Sequence, residues 1–350
     1  MARAKDHLDS SAAIARPLSA LGPAKARIVL ALLFIACVWA AIVPDRMHLL
    51  PEAGSVAQET TLSPNDTGSG DIALYEAIHR RVADGENYYA AALAEQRERN
   101  YPTAPFVTVR LPTMAMVERF VGVPGWRVLG AGLLFGMIGL WIAAWRTRTS
   151  LVERGGAGIV MVLCGVGAFG PLAHVLHEVM AGVLLSLGLV FFGTKRWIFG
   201  LIAAFCALAI RELAIPFLLL WSAFAAANRS WREFATVIAL CCAYGVALGF
   251  HADAVAAERL DGDGTSQGWG GLQGPSLPIA SLIMFSPLKS MPAWISGPLA
   301  VLPLIGWIGL GGKRAIFACL WFVGFAMAVA LFARPDNVYW ILLVMPLYAA

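Results

Sequence analysis

Ionisable residues that could do chemistry interrupt the apolar parts of this 350-residue chain in a few short groups. They are Asp71; the trio His174, His177 and Glu178; the adjacent pair Arg211 and Glu212; and Arg334 with Asp336. A carboxylate can accept a proton from a hydroxyl, and a guanidinium can bind a phosphate through two parallel hydrogen bonds. Because ionisable groups at membrane depth are costly and usually face a polar cavity, these groups are candidates for one shared site.

Asp71 opens the stretch GDIALYEAIHRRV, whose apolar periodicity predicts an amphipathic helix over 71–83. We expect this helix to lie on the membrane surface, with Glu76 and Arg80 paired one turn apart. A second helix is expected over 87–99, before a proline-rich extended segment. Asp71 is predicted to be the N-cap of the first helix, and the same rigidly held carboxylate is a candidate general base.

His174, His177 and Glu178 are spaced i, i+3, i+4, which predicts that they share one face at the start of a membrane span. Beside the free N–H groups of a helix start, they could hold a phosphate or a metal. The alternative is that the histidines lie at the membrane interface and Glu178 only complements the helix dipole. The H-E-x-x-H order typical of one kind of zinc site is absent.

Arg211 and Glu212 have two interpretations. They form an ion pair at a tight turn between short helices, or Arg211 binds a phosphate while Glu212 orients it. Arg334 is a second candidate cation, in a turn where Asp336 or Asn337 caps the next helix.

Two aromatic residues, Tyr101 and Trp269, could stack on the faces of a sugar, although aromatic residues at an interface are also ordinary membrane anchors. The segment DGDGTSQ at 261–267 begins like a calcium-binding loop. Because Leu272 stands where the bidentate glutamate belongs, a flexible loop is the expectation there.

These residues must be positioned by membrane helices, because 59% of the chain is hydrophobic and only 14% is charged. The expectation is an all-α, polytopic bundle of about ten spans of roughly 20 residues each. The spans are expected at about 26–43, 126–145, 156–170, 172–193, two within 197–228, 234–250, 291–311, 314–333 and 337–350. Residues 1–25 are expected to form a cytoplasmic tail, and residues 26–350 a single transmembrane domain with long loops at 44–124 and 251–278.

Charge in the short loops sets the orientation. Nearly all of it lies in one set of loops, at Arg146, Arg148, Arg154, Lys195, Arg196, Arg229, Arg232, Lys313 and Arg314. By the positive-inside rule these loops and the N-terminus are cytoplasmic, and the loop 44–124 and the ionisable groups are outside. The net charge of +4 is spread thinly, so no nucleic-acid surface is expected, and all six cysteines fall in apolar runs, so no disulfide is expected.

An acid near the start of an amphipathic helix in a long first outer loop, then YPTAPF, then many spans of uneven length resembles the GT-C superfamily of glycosyltransferases that use polyprenyl-phosphate sugars. In that superfamily an acid of this loop is the catalytic base, and Asp71 is the matching position. The stretch Tyr101-Pro102-x-x-Pro105-Phe106 is similar to the proline-containing segment after that helix. Many members carry paired acids here, whereas Asp71 has apolar neighbours.

The resemblance implies sugar transfer from a polyprenyl-phosphate donor to a glycan or lipid acceptor at the outer face of a bacterial cytoplasmic membrane. Asp71 would be the base, and Arg211, with Arg334 or His174, would hold the phosphate. A divalent cation is compatible with these residues but not indicated by them, so the cofactor stays open.

Two other functions fit the same residues. A transporter or flippase of a lipid-linked saccharide would use the polar cluster as a binding site without chemistry, but a carrier also needs polar residues on the inner side. An acyltransferase would use His177 and Glu178, although neither belongs to a recognisable nucleophile arrangement.

Overall fold

The computed structural model of the chain describes residues 23–42 and 70–350. Over these residues the protein is built from helices and has no β-strands. The expected N-terminal tail, up to residue 22, and the first part of the outer loop, 43–69, lie outside the described residues. Their predicted conformation therefore stays a prediction.

The described helices form one bundle of long and short segments. In chain order they are α1 Pro23–Ile42, α2 Asp71–Ala83, α3 Tyr88–Glu98, α4 Thr113–Trp145, α5 Leu151–Gly165, α6 His177–Phe191, α7 Trp197–Ile210, α8 Ile215–Ala227, α9 Trp231–Ala257, α10 Ser276–Met284, α11 Ala293–Val301, α12 Pro303–Leu310, α13 Gly312–Phe332 and α14 Met345–Tyr348. Short 3₁₀ helices lie between them at Phe106–Thr108, Val166–Ala168, Glu212–Ala214, Pro287–Ser290 and Pro335–Leu343.

Five helical segments of the described chain are long and apolar enough to cross a membrane: Phe106–Trp145, Leu151–Ala168, Trp231–Ala257, Ala293–Leu310 and Gly312–Phe332. Four shorter apolar helices accompany them, at Arg27–Ile42, His177–Phe191, Trp197–Ile210 and Glu212–Ala227. The expectation of a helical chain with several candidate membrane spans is confirmed at this level.

Two expected spans have a different form. The one at 126–145 is the second part of α4, which begins at Thr113 and breaks at Gly122, where φ is 68°. Glycine accepts this left-handed backbone, and Pro124 follows it inside the helix, so the chain changes direction there. The span expected at 337–350 is instead the 3₁₀ helix Pro335–Leu343 followed by the short α14.

The two amphipathic helices after residue 70 form nearly as expected, over Asp71–Ala83 and Tyr88–Glu98. The pair predicted between Glu76 and Arg80 is not formed among the described residues. Arg81 instead binds Glu86 at 2.6 Å, across the turn that joins the two helices.

The basic loops lie together at one end of the bundle. Arg148 donates to the Leu310 carbonyl oxygen at 2.8 Å, and Lys313 donates to the Asn228 side chain at 2.6 Å. The loops after α4, α8 and α12 therefore meet. Because the candidate site residues stand at the opposite ends of α4, α8 and α13, charge and site are separated along the bundle. All six cysteines are free thiols in the described chain.

Candidate functional site at one end of the bundle

A cavity of about 680 Å³ opens where the starts of α2 and α6 meet the turn after α7. Most of the site residues that the sequence predicts line it: Asp71, Tyr101, Glu178, Arg211, Glu212, Trp269 and Arg334. His174 and His177 do not. The volume is in the range of ordinary ligand pockets, and the cavity brings together residues that are far apart in sequence.

Asp71 is the first residue of α2, not its N-cap, so that part of the sequence prediction is wrong. Gly70 takes the cap position with φ of 100°, and no side chain caps this helix start. The strained turn is made by glycine, so Asp71 already has helical backbone and its carboxylate is not used to bind the helix N–H groups. Within the described chain this carboxylate has no hydrogen-bond or ion-pair partner, and it lines the cavity.

Tyr75 lies one helical turn after Asp71 and contacts Arg110, a cation that the sequence analysis did not single out. The Nε of Arg110 donates to the Tyr75 hydroxyl at 3.0 Å. Burial raises the pKa of the Tyr75 hydroxyl; Arg110 acts against this rise, and the nearby Asp71 carboxylate adds to it. Arg110 also lies 3.5 Å from the Tyr339 hydroxyl, so two phenols and one guanidinium form part of the wall.

The Arg211 guanidinium is committed to two carboxylates. Its Nε donates to Glu178 at 2.6 Å, its Nη1 donates to Glu212, and only 1% of the side chain is exposed. Arg110 approaches the same two carboxylates, at 3.7 Å from Glu178 and 3.5 Å from Glu212. Two arginines and two glutamates therefore balance in charge, which favours the ion-pair interpretation of Arg211. We call these four residues the charged cluster.

Arg334 differs from the other two cavity arginines. Arg334 is the N-cap of the following 3₁₀ helix, where the sequence predicted Asp336 or Asn337, and its backbone N–H donates to the Asn337 side-chain oxygen at 3.3 Å. Its guanidinium has no ion-pair or hydrogen-bond partner among the described residues, and its Nε is buried. Arg334 therefore brings uncompensated positive charge and free donors to the cavity.

His174 and His177 are not on one helix face with Glu178, because α6 begins only at His177 and His174 lies in the preceding turn. The His177 ring packs 5.0 Å from Tyr75, and both histidines lie about 6 Å from the ring of His79, at 6.1 and 6.3 Å. His79 Nδ1 is 2.5 Å from Glu118. His174 and His177 therefore pack against α2 and do not line the cavity.

No group of three or more His, Cys, Asp or Glu side chains in the described residues is arranged to hold a metal ion. His177 Nδ1 is instead 2.8 Å from the Val175 carbonyl oxygen.

Part of the cavity wall is aromatic. The Trp269 and Trp340 rings meet nearly at right angles with centroids 5.9 Å apart, and Tyr101 lines the same cavity. We call these three residues the aromatic wall.

The loop 261–267, expected to be flexible, is anchored beside this wall. Arg97 binds Asp263 at 2.7 Å, and this contact lowers the pKa of the Asp263 carboxyl. The Ser266 N–H donates to the Ala104 carbonyl oxygen at 2.7 Å. Asp263, one of the two aspartates of the segment that resembles a calcium loop, thus forms an ion pair that holds the loop in place.

Sequence reasoning missed Arg110, Tyr75, Tyr339 and Trp340. A signal existed for two of them. Tyr75 is one turn from Asp71 on the same helix, and Arg110 is a lone cation just before a long apolar helix. Tyr339 and Trp340 belong to a segment expected to be a membrane span, where aromatic residues are ordinary.

Comparison with known proteins gives no further information about this site. No family model, curated protein or solved structure significantly matches the chain.

Proposed function

We propose that the chain is an integral membrane glycosyltransferase that moves a sugar from a polyprenyl-phosphate donor to an acceptor hydroxyl. One observation carries this proposal: Asp71 and Arg334, whose carboxylate and guanidinium have no partner among the described residues, line the same cavity. A base and a free cation are the two groups that this transfer requires, since a proton must be removed and a phosphate charge must be stabilised.

In this reaction the acceptor oxygen attacks the anomeric carbon of the donor sugar while Asp71 takes the hydroxyl proton. The bond between the anomeric carbon and the phosphate oxygen breaks, and the bonding electrons stay with the phosphate. Arg334 and Arg110 stabilise the charge that gathers there, because guanidinium groups pair well with phosphate oxygens. The lipid tail of the donor stays in the surrounding membrane.

The charged cluster has a supporting role in this proposal. Arg211 holds Glu178 and Glu212, and those carboxylates hold Arg110 near the cavity. Such a preorganised arrangement stabilises developing charge without reorganising during the reaction. In this proposal His174 and His177 have no role in the reaction and pack against α2.

The proposed location follows from the separation of charge and site. The basic loops meet at one end of the bundle and the cavity lies at the other. If the basic end faces the cytoplasm, the cavity opens at the outer face.

The test is an assay of purified protein in lipid nanodiscs with a panel of polyprenyl-phosphate sugars and of sugar, lipid and peptide acceptors. We expect transfer that falls by about 10- to 100-fold in Arg334→Gln, because a charge-assisted hydrogen bond is lost. Arg80→Gln, an exposed position on α2, is the matched control. Movement of lipid-linked saccharide across vesicles without transfer would replace the transferase by the flippase.

A further inference from the structure

Four residues that line the cavity each have a buried polar side-chain atom with no hydrogen-bond partner in the described chain. The atoms are Oε1 of Gln96, Oγ1 of Thr108, Nε1 of Trp340 and Nε of Arg334. Gln96 and Trp340 are each 5% exposed. An unpaired buried polar atom costs about 1–3 kcal/mol, so a ligand that pairs with these atoms gains affinity from them.

Gln96, Thr108 and Trp340 belong to segments that are connected to one another around the aromatic wall. The Gln96 amide nitrogen donates to the Thr108 carbonyl oxygen at 3.1 Å, so α3 and the segment before α4 are tied together. The loop of Ser266 is tied to that segment through Ala104. The same loop carries Trp269, which touches Trp340.

We propose that the acceptor substrate is a saccharide bound against the aromatic wall, with its hydroxyls paired to Gln96, Thr108 and Trp340. This inference rests on the proposed transferase function, since it names the class of molecule that brings its hydroxyl to Asp71.

The chemistry of the surface selects this class. A sugar ring has apolar C–H faces that pack on indole and phenol rings, and hydroxyls around its rim that both donate and accept. The indole N–H only donates, the Gln96 carbonyl oxygen only accepts, and the Thr108 hydroxyl does both. A long-chain alcohol has a single hydroxyl and would leave most of these atoms unpaired. A peptide serine would bring backbone N–H and C=O groups that need partners of their own, and the carbonyl oxygens of Ala104 and Thr108 are already hydrogen-bonded.

The aromatic wall and the charged cluster share no residue, and the charged cluster has no unpaired atoms of this kind among the described residues. In this proposal the donor phosphate pairs with Arg334 and Arg110, and the acceptor sugar packs on the aromatic wall.

The experiment is a titration of the purified full-length chain in nanodiscs, without donor, with methyl glycosides and disaccharides. Binding is followed by tryptophan fluorescence and by saturation-transfer NMR. We expect Trp340→Phe, which keeps a ring but removes the N–H, and Thr108→Val, which keeps the shape but removes the hydroxyl, each to weaken binding by about 3- to 10-fold. Trp231→Phe, which is 62% exposed at the basic end, should bind as the wild type does.

Three results would overturn the inference. They are unchanged glycoside affinity in both Trp340→Phe and Thr108→Val, binding confined to alkyl alcohols or serine peptides, and competition between the donor and the glycosides. The last would assign the wall to the donor sugar. If the protein transfers no sugar but binds glycosides, and Trp340→Phe and Thr108→Val weaken that binding, the transferase proposal fails and the sugar-binding site stands. Transfer to lipid or peptide acceptors without glycoside binding would keep the transferase and remove this inference.

Discussion

The Nε of Arg211 lies 2.6 Å from Oε1 of Glu178, in a place where only 1% of the arginine side chain is exposed. The two residues are 33 positions apart in sequence, and their pairing joins the end of α7 to the start of α6. A buried charge that loses its partner is strongly unfavourable, so this contact ties the fold to the electrostatics of the cavity.

Arg211→Gln should therefore destabilise the protein. Glu178 and Glu212 would lose the closer of their two cations, and breaking a buried pair in this way costs about 3–5 kcal/mol. The measurement is thermal unfolding in detergent, with Arg196→Gln as the exposed control. Equal unfolding temperatures for the two variants would show that the pair contributes nothing to stability.

Arg110→Lys tests the cation that sequence reasoning missed. Lysine keeps the charge but cannot contact Tyr75, Tyr339 and a phosphate with one planar group. We expect sugar transfer to fall by about 10-fold or more with little change in unfolding temperature. Arg119→Lys, an exposed position on α4, is the control, and equal activity of the two variants would exclude Arg110 from the site.

The pair His79–Glu118 should fix the position of α2. His79 is 3% exposed and its only polar partner in the described chain is the Glu118 carboxylate at 2.5 Å. Glu118→Ala leaves the imidazole unpaired, which should cost about 1–3 kcal/mol and increase amide hydrogen exchange in 71–83. Glu76→Ala on α2 is the control, because that side chain forms no ion pair within residues 23–42 and 70–350. No difference in exchange between the variants would refute this role.

Gly182 allows a close approach that holds one wall of the cavity. A Cβ there would lie 2.6 Å from the Leu342 carbonyl oxygen and 2.8 Å from that of Leu343. Gly182→Ala should push away the 3₁₀ segment that carries Tyr339 and Trp340, at a cost of about 1–3 kcal/mol. The control is Gly136→Ala, where a Cβ meets nothing within 4 Å. A stable, fully active Gly182→Ala would show that this contact is unimportant.

Sequence patterns predicted the local parts of this structure well and the long-range parts poorly. The bounds of α2 and α3 follow from periodicity and from local signals such as Asn87, whose side chain accepts from Tyr89 N–H. Apolar composition cannot distinguish an α-helix from the 3₁₀ helix Pro335–Leu343. Apolar composition also does not show which helices contact each other.

The candidate site shows the same limit. The gathering of Asp71, Arg211 and Arg334 follows from topology, because the start of α2 and the ends of α7 and α13 lie at the same end of the bundle. The pairing of Arg211 with Glu178 depends on side-chain geometry across two helices, and no sequence spacing contains that information. The same is true of His79 and Glu118.

Sugar transfer by Asp71→Asn is the decisive measurement for the role of this carboxylate. The substitution keeps the size of the side chain and removes its capacity to accept a proton, and no capping bond is lost because none is formed. We predict a loss of about 100-fold or more in transfer rate, with unchanged folding and unchanged glycoside binding. Asp84→Asn, at the exposed end of the same helix, should transfer at the wild-type rate. Wild-type turnover by Asp71→Asn would contradict the central claim that this carboxylate is the base.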